Sequence, residues 1–253
     1  MEKIGTLYNE AVRSINNEMH TLGIGIPGSI SSKTKLIKNS NTLCLNNKLF
    51  KQDIMGVLNH DIEIQNDANC FTYAEAVLGA GVGKRIVFGV IMGTGCGGGI
   101  SISGNIHAGI QGIAGEWGHS QINPLGPQCY CGKKGCVETY ISGGGLQKIF
   151  ESRYGFRKTM QEITQGFREG DPYCKEIFKE FIVHIGIALS NVINILDPDI
   201  VVLGGGLSNI DELYTIGKNE VKKNIFSDSF ETPIVKNILG DSSGVIGAAL
   251  IGI

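Results

Sequence analysis

Four side chains able to hold a metal crowd one short stretch: His119, Cys129, Cys131 and Cys136. One imidazole and three thiolates complete the tetrahedral donor set of structural zinc, and Gly132 and Gly135 supply turns that let closely spaced sulfurs converge. Buried thiols beside a surface histidine are the competing reading, and three cysteines within eight residues weigh against it. With all four positions filled by protein, the ion orders the loop and does not activate water. Glu116 lies three residues before His119 and Glu138 two after Cys136, so the same loop carries both carboxylates. Taken singly, each also reads as a solvated surface acid. Asp67, within Asn66-Asp67-Ala68-Asn69, reads as a helix cap or as a chemical group, and capping preference favours the cap.

Glycine offers the second kind of chemistry, contact with phosphate. Gly93-Thr94-Gly95-Cys96-Gly97-Gly98 matches the dinucleotide fingerprint in spacing, but that fingerprint needs a strand before it and a helix after it. Arg85 to Met92 reads as the strand; the alternation around Ile100, Ile102, Ile106 and Ile110 predicts a hairpin where the helix should be. What remains is a strand–turn–strand loop, either a phosphate loop of bare backbone N–H groups or a plain glycine hairpin. Gly79 to Arg85 only imitates a P-loop: it is one residue short, Arg85 replaces the metal-binding Ser or Thr, and it precedes a strand.

The elements that must position these groups are those of a mixed α/β protein. Residues 4 to 20 are amphipathic at helical spacing, and a strand from Leu22 to Ile26 ends at Pro27-Gly28. Thr34 to Phe50 is polar and turn-rich, Ile62 and Ile64 alternate as in a strand, and a helix runs from Asn66-Asp67 to about Leu78. Ile177 to Leu196 is the clearest helix, with one broad apolar face ended by Asp197-Pro198. Ile200 to Leu203 is a strand leading into Gly204-Gly205-Gly206; Ser208 with Asp211 suggests a helix start, and Gly244 to the end reads as a short apolar helix.

Composition excludes several classes. Lys+Arg 22 against Asp+Glu 24 gives a net charge of −2, so no basic field draws nucleic acid or an anionic membrane. The apolar stretch Ile86 to Met92 is too short to cross a bilayer, and no basic-then-apolar leader opens the chain. Seven cysteines, three of them clustered, fit a reducing cytoplasm better than a secreted disulfide framework. Glycine, at 37 of 253 residues, is about twice its usual share of roughly 7 %.

In order along the chain come Gly23-Ile24-Gly25-Ile26-Pro27-Gly28, Asn66-Asp67-Ala68-Asn69, Gly93 to Gly99, Gly115-Glu116-Trp117-Gly118-His119 and Cys129-Tyr130-Cys131-Gly132-Lys133-Lys134-Gly135-Cys136. Together they resemble the ROK family of bacterial sugar kinases and repressors. The resemblance runs from about Gly23 to the C-terminus and implies an actin-like, ribonuclease-H-like two-lobed α/β fold. Residues 1–84 with 244–253 would form the small lobe, and 85–243 the large one. Within the family, Gly25 to Asn41, the run Ala114 to His119, and Gly240-Asp241-Ser242-Ser243-Gly244-Val245 look most like fructokinases (mannokinases). The family implies that Asp67 is the general base for the attacking hydroxyl of the sugar. Asn66, Glu116, His119 and Glu138 would hold sugar hydroxyls, and His119, Cys129, Cys131 and Cys136 the zinc. Thr94 and Gly95 would face the ATP phosphates, Gly204 and Gly205 would leave a flat gap for adenosine, and Mg²⁺ would offset phosphate charge.

One departure qualifies the expectation. Kinases of this family open with a hairpin carrying Asp-x-Gly-Gly-Thr, the first phosphate loop, several dozen residues before the Gly-Ile-Gly-Ile-Pro-Gly stretch. Here about twenty residues precede that stretch and read as a helix. The small lobe is therefore expected to be incomplete, with the strand Leu22 to Ile26 deprived of neighbours and exposing an edge. The expected activity is cytoplasmic, ATP-dependent phosphorylation of a hexose, fructose first and mannose next, by a homodimer such as similar proteins form. The alternatives are an N-acetylhexosamine or glucose kinase of the same family, and a silent remnant that only binds sugar or a partner. The repressor branch needs an N-terminal DNA-binding module, which a segment with Lys3 and Arg13 as its strong cations cannot supply.

Overall fold

The computed structural model describes residues 2–252. In chain order these form α1 (Glu2–Ser14), β1 (Gly23–Ile26), β2 (Ser29–Ile30), β3 (Ile37–Lys38), α2 (Phe50–Leu58), β4 (Glu63–Asn66), α3 (Asp67–Val77), β5 (Ile86–Met92), β6 (Cys96–Ile102) and β7 (Asn105–Ile106). There follow α4 (Val137–Ile141), α5 (Gly143–Tyr154), α6 (Met160–Glu169), α7 (Pro172–Leu196), β8 (Ile200–Gly204), α8 (Ile216–Asn224), β9 (Ile234–Lys236) and α9 (Ser243–Ile251).

The main sheet has the order β7-β6-β5-β8-β9. β5 and β6 are antiparallel, from Ile86 opposite Ile102 to Met92 opposite Cys96, while β8 runs parallel to β5 and β9 parallel to β8. Alternate residues serve the two faces, as the pleat requires. Phe88, Val90 and Met92 of β5 with Val201 and Leu203 of β8 pack among Ile177, Phe178, Phe181 and Ile185 of α7. Val87 of β5 with Ile200 and Val202 of β8 meet Phe71 and Ala76 of α3 on the other face. Gly89 and Gly99 stand opposite each other in the β5–β6 ladder, and a Cβ on either would run into the Thr72 side chain. Their bare backbones let α3 lie close on the sheet.

Helix ends follow the sequence. Asp171 caps α7, its side chain accepting from Cys174 N–H with Pro172 at the first turn, and Asp197 ends it in the left-handed conformation at φ 45°. α7 is long and apolar enough to cross a membrane by length and composition. Ser190, Asn191 and Asn194 interrupt its apolar run, and the residues from Cys174 to Ile193 on its inner face are core.

Beside the main sheet, β1 and β4 pair in parallel, from Gly23 opposite Glu63 to Ile26 opposite Asn66. β1 therefore keeps one strand neighbour, contrary to the expectation that it would lose them; β4 is its sole strand partner among the described residues. α9 packs along both β1 and α3. A Cβ at Gly247 would strike the Cys70 carbonyl, so the two helices touch through their backbones.

Two local readings are corrected, and one helix is added. The helix expected over residues 4 to 20 stops at Ser14, because Asn16 and Asn17 adopt φ of 53° and 58°. The turn-rich segment ends in α2, whose Ile54 and Leu58 join Ile62 in a small core. The helix expected from Ser208 is two 3-10 turns, Gly206–Asn209 and Asp211–Leu213, and α-helical geometry begins at Ile216.

Candidate active site

β1, β4 and β5 each deliver their C-terminal end to one cleft. β1 brings Pro27 and Gly28, β4 brings Asn66 followed by Asp67, and β5 brings Gly93, Thr94 and Gly95. Carboxyl ends of parallel strands are where α/β sheets form ligand crevices. The cleft, about 200 Å³, is also lined by Asn39, Asn41, Glu116, His119, Tyr130 and Glu138.

Asp67 is the first residue of α3 and Asn66 its cap. The Asn66 side-chain oxygen accepts from Ala68 N–H at 2.9 Å and Asn69 N–H at 3.2 Å, and its amide donates to the Gly28 carbonyl at 3.1 Å. One amide N–H of Asn66 is left for a ligand. Asp67 Oδ1 accepts from Ala68 N–H at 2.9 Å. The cap expected at Asp67 is instead Asn66, which leaves the Asp67 carboxylate standing in the cleft. Crowding by protein raises the Asp67 pKa above its ordinary 3.8, against the lowering effect of the Ala68 N–H.

Glu116 precedes the short turn Trp117–His119, which the indole of Trp117 anchors by donating to the Gly97 carbonyl at 3.0 Å. Burial raises the Glu116 pKa, the charges of Asp67 and Glu138 add to the rise, and His119 and Lys38 oppose it. Glu138, in the first turn of α4, accepts from Cys96 N–H at 2.9 Å and so ties the metal loop to the β5–β6 turn. Three carboxylates and an imidazole around one small cleft offer many hydrogen-bond acceptors to a ligand.

The β5–β6 turn is narrower than the glycine run suggested. Gly97, Gly98 and Gly99 are strand residues; a Cβ at Gly98 would fall 2.6 Å from the Trp117 ring, so this glycine serves packing. Gly93, Thr94 and Gly95 alone form the turn. The N-terminus of α5 braces it, with Gly143 N–H donating to the Gly93 carbonyl at 2.8 Å and Gly144 N–H to that of Thr94 at 3.1 Å. Among the described residues the N–H groups of Thr94 and Gly95 have no acceptor, which leaves both for an anion.

Gly204 and Gly205 lie apart from this cleft. Gly204 packs against the Phe71 ring, and Gly205, at φ 77°, passes over the Met92 carbonyl. The neighbouring Gly206, with Leu207 and Asn209, instead lines a cavity of about 180 Å³ shared with Met160, Gln161 and Arg168.

Cys129, Cys131, Cys136 and His119 converge as the sequence predicted, every donor atom within 4.8 Å of the others. Cys131 Sγ and Cys136 Sγ are 3.6 Å apart, and Cys129 Sγ is 3.5 Å from His119 Nδ1. A Zn–S length of about 2.3 Å in tetrahedral geometry requires edges of about 3.8 Å, so the four donors fit zinc with small adjustment. Cys129, Cys131, Cys136 and Nδ1 of His119 would hold the ion, and the ion would fix the loop that carries Glu116 and Glu138.

The sequence profile of the ROK family matches residues 1–252. The chain belongs to the ROK family. This ROK chain is 37 % identical over 245 residues to an N-acetylgalactosamine kinase of Shewanella sp. (strain ANA-3), covering 93 % of this chain and 79 % of that one. It is 34 % identical over 244 residues to an N-acetyl-D-glucosamine kinase of Histophilus somni (strain 129Pt), covering 91 % and 79 %. The crystal structure of a ROK hexokinase from Thermus thermophilus superposes with a TM-score of 0.88 at 26 % identity, over 99 % of this chain and 84 % of that one. A ROK family glucokinase from Streptomyces griseus, solved with glucose and AMPPNP, superposes at 0.83 and 25 % identity, over 99 % and 88 %. The fold is accordingly the actin-like α/β fold of ROK kinases.

Three cleft residues of this ROK chain escaped the sequence reading. Asn39, at φ 60°, and Asn41 registered only as turn punctuation, although asparagine is the side chain that tolerates a left-handed turn and still offers an amide. Tyr130 lay inside the cysteine motif and carried no signal of its own.

Proposed function

We propose that this chain is an ATP-dependent kinase whose sugar is an N-acetylhexosamine. The observation that carries the kinase reading is the meeting of Asp67, Glu116, His119 and Glu138 with the free N–H groups of Thr94 and Gly95 around one cleft. In this reading Asp67 accepts the proton of the attacking sugar hydroxyl as its oxygen bonds to the γ-phosphorus and ADP leaves. A base so placed contributes about 10²–10⁴-fold. The remaining N–H of Asn66, the two glutamates and Nε2 of His119 hold the other hydroxyls and fix the sugar's orientation. Thr94 and Gly95 N–H groups meet the phosphates. Gly204 and Gly205 hold the backbone close at the end of β8, so that the adenosine side opens from Gly206 onward. Mg²⁺ bound to ATP offsets phosphate charge, and zinc holds the carboxylate loop. The lobes in this proposal are residues 1–84 with 244–253, and 85–243, and closure between them would exclude water.

The preference for an N-acetylhexosamine over fructose rests on the kinases of N-acetylgalactosamine and N-acetylglucosamine that align over nine-tenths of this chain. The expectation of fructose had rested on short motifs alone. The test is ADP release with Mg-ATP and N-acetylglucosamine, N-acetylgalactosamine, fructose or mannose in parallel. Release with an N-acetylhexosamine is expected. Release with fructose alone reinstates the fructokinase reading, and silence with all four from folded, zinc-loaded protein leaves a sugar-binding remnant.

A further inference from the structure

Tyr130 is used by neither the zinc set nor the chemistry above, yet it holds a singular place. Of the residues lining the cleft, it alone also lines both larger cavities, one of about 860 Å³ beside Thr94 and Lys148 and one of about 1070 Å³ beside Leu43 and Trp117. It is the wall common to all three.

Its hydroxyl lies 2.9 Å from His119 Nε2, and the two rings meet edge-on with centroids 5.0 Å apart at 89°. His119 Nδ1 faces Cys129 Sγ within the zinc set, so a neutral imidazole carries its proton on Nε2. Nε2–H therefore donates to the Tyr130 oxygen. Tyr130 is 57 % exposed, on a turn whose Cys131 and Gly132 are exposed as well. Swinging it outward uncovers little buried surface.

We propose that Tyr130 is a displaceable cover of the sugar cleft: its hydroxyl stands on His119 Nε2 in the free protein, and the incoming sugar takes over that bond while the ring swings out. The inference rests on the sugar-kinase reading. It makes Tyr130 a residue that competes with substrate, so its loss should strengthen binding. Loss of a residue that merely shapes the loop would weaken it.

The test measures N-acetylglucosamine binding to the full, zinc-loaded chain by calorimetry and by stopped-flow emission of Trp117, the single tryptophan. Tyr130→Phe should tighten binding about 5-fold, the equivalent of about 1 kcal/mol for a hydrogen bond that need no longer be broken. Tyr130→Ala should also raise the association rate, since the ring itself is gone. Zinc content and Trp117 emission equal to wild type certify folding. Equal or weaker binding by Tyr130→Phe overturns the cover, the weaker case making the hydroxyl a sugar ligand. If wild type binds none of the four sugars, the sugar reading fails first and the cover falls with it.

Discussion

Replacing Asp67 by Asn removes a proton acceptor while sparing almost everything else the residue does. Asn Oδ1 can still accept from Ala68 N–H, now at 2.9 Å, and Asn66 continues to cap α3 through Ala68 and Asn69. The structural cost should therefore stay within about 0.5 kcal/mol. The catalytic cost is larger: losing a positioned base removes about 10²–10⁴ in kcat, or about 3–5 kcal/mol of transition-state stabilisation. Sugar affinity should change by less than about 3-fold, because the loss is confined to the step in which the proton moves. Stability adds an independent check with a definite sign. The Asp67 pKa is raised in the folded chain, so folding favours the protonated acid, and that advantage is lost as pH rises through the folded pKa. At neutral pH the wild-type carboxylate thus opposes folding, and its charge also raises the Glu116 pKa. The variant should melt at the same temperature as wild type or higher at pH 7, with any advantage vanishing as pH falls toward 3.8. Coupled ADP-release kinetics, calorimetric sugar binding and melts across pH measure all three. Turnover within about tenfold of wild type refutes the base assignment, and a lower melting temperature at pH 7 refutes the crowded carboxylate.

Metal analysis of fresh protein should find one zinc per chain, and Cys136→Ser should lose it together with about 10–100-fold in sugar affinity, because the ion fixes the loop bearing Glu116 and Glu138. Glu75 is 0 % exposed and accepts from Ala80, Ile238 and Leu239 N–H groups and the Ser243 hydroxyl. Glu75→Ala orphans these donors and should cost about 2–4 kcal/mol in urea unfolding. The acid limb of kcat/KM should lie above the ordinary carboxylate value of 3.8, since the base must be ionised and its pKa is raised; a limb at or below that value contradicts the placement of Asp67.

Where a pattern was long and periodic, the sequence and the fold agree. The β-branched run of β5 and the apolar face of α7 were both legible, because each buries a continuous face against the other. α5 was illegible: it opens with Gly143, Gly144 and Gly145, poor helix formers retained because a Cβ at Gly144 would crowd the Thr94 carbonyl. α2 was hidden by its polar flanks and by burying only Ile54 and Leu58. The chemistry-bearing residues Asp67, Glu116, His119 and Glu138 stood out by motif. The meeting of Asp67 with the other three could not be read from spacing, since Asp67 follows β4, far in sequence from the metal loop that carries Glu116, His119 and Glu138. Tyr130 and the asparagines of the β3 loop went unread because their role comes from which cavities meet at them.

The packing of α9 on β1 and α3 has a kinetic meaning. The main sheet and its α7 layer are assembled from residues between β5 and β9, a stretch that can collapse largely on its own contacts. The backbone contact of Gly247 with Cys70 joins the far end of the described chain to the start of α3, so the loop that must close is long and the closure late. On the ribosome, β1, β4 and α3 would emerge early and wait until α9 is made to pack on them. During that interval the surface of α3 and β1 that α9 later covers is open to chaperones and to aggregation. Refolding experiments should accordingly resolve a fast phase reporting Trp117 burial and a slower one in which the sugar cleft acquires its shape.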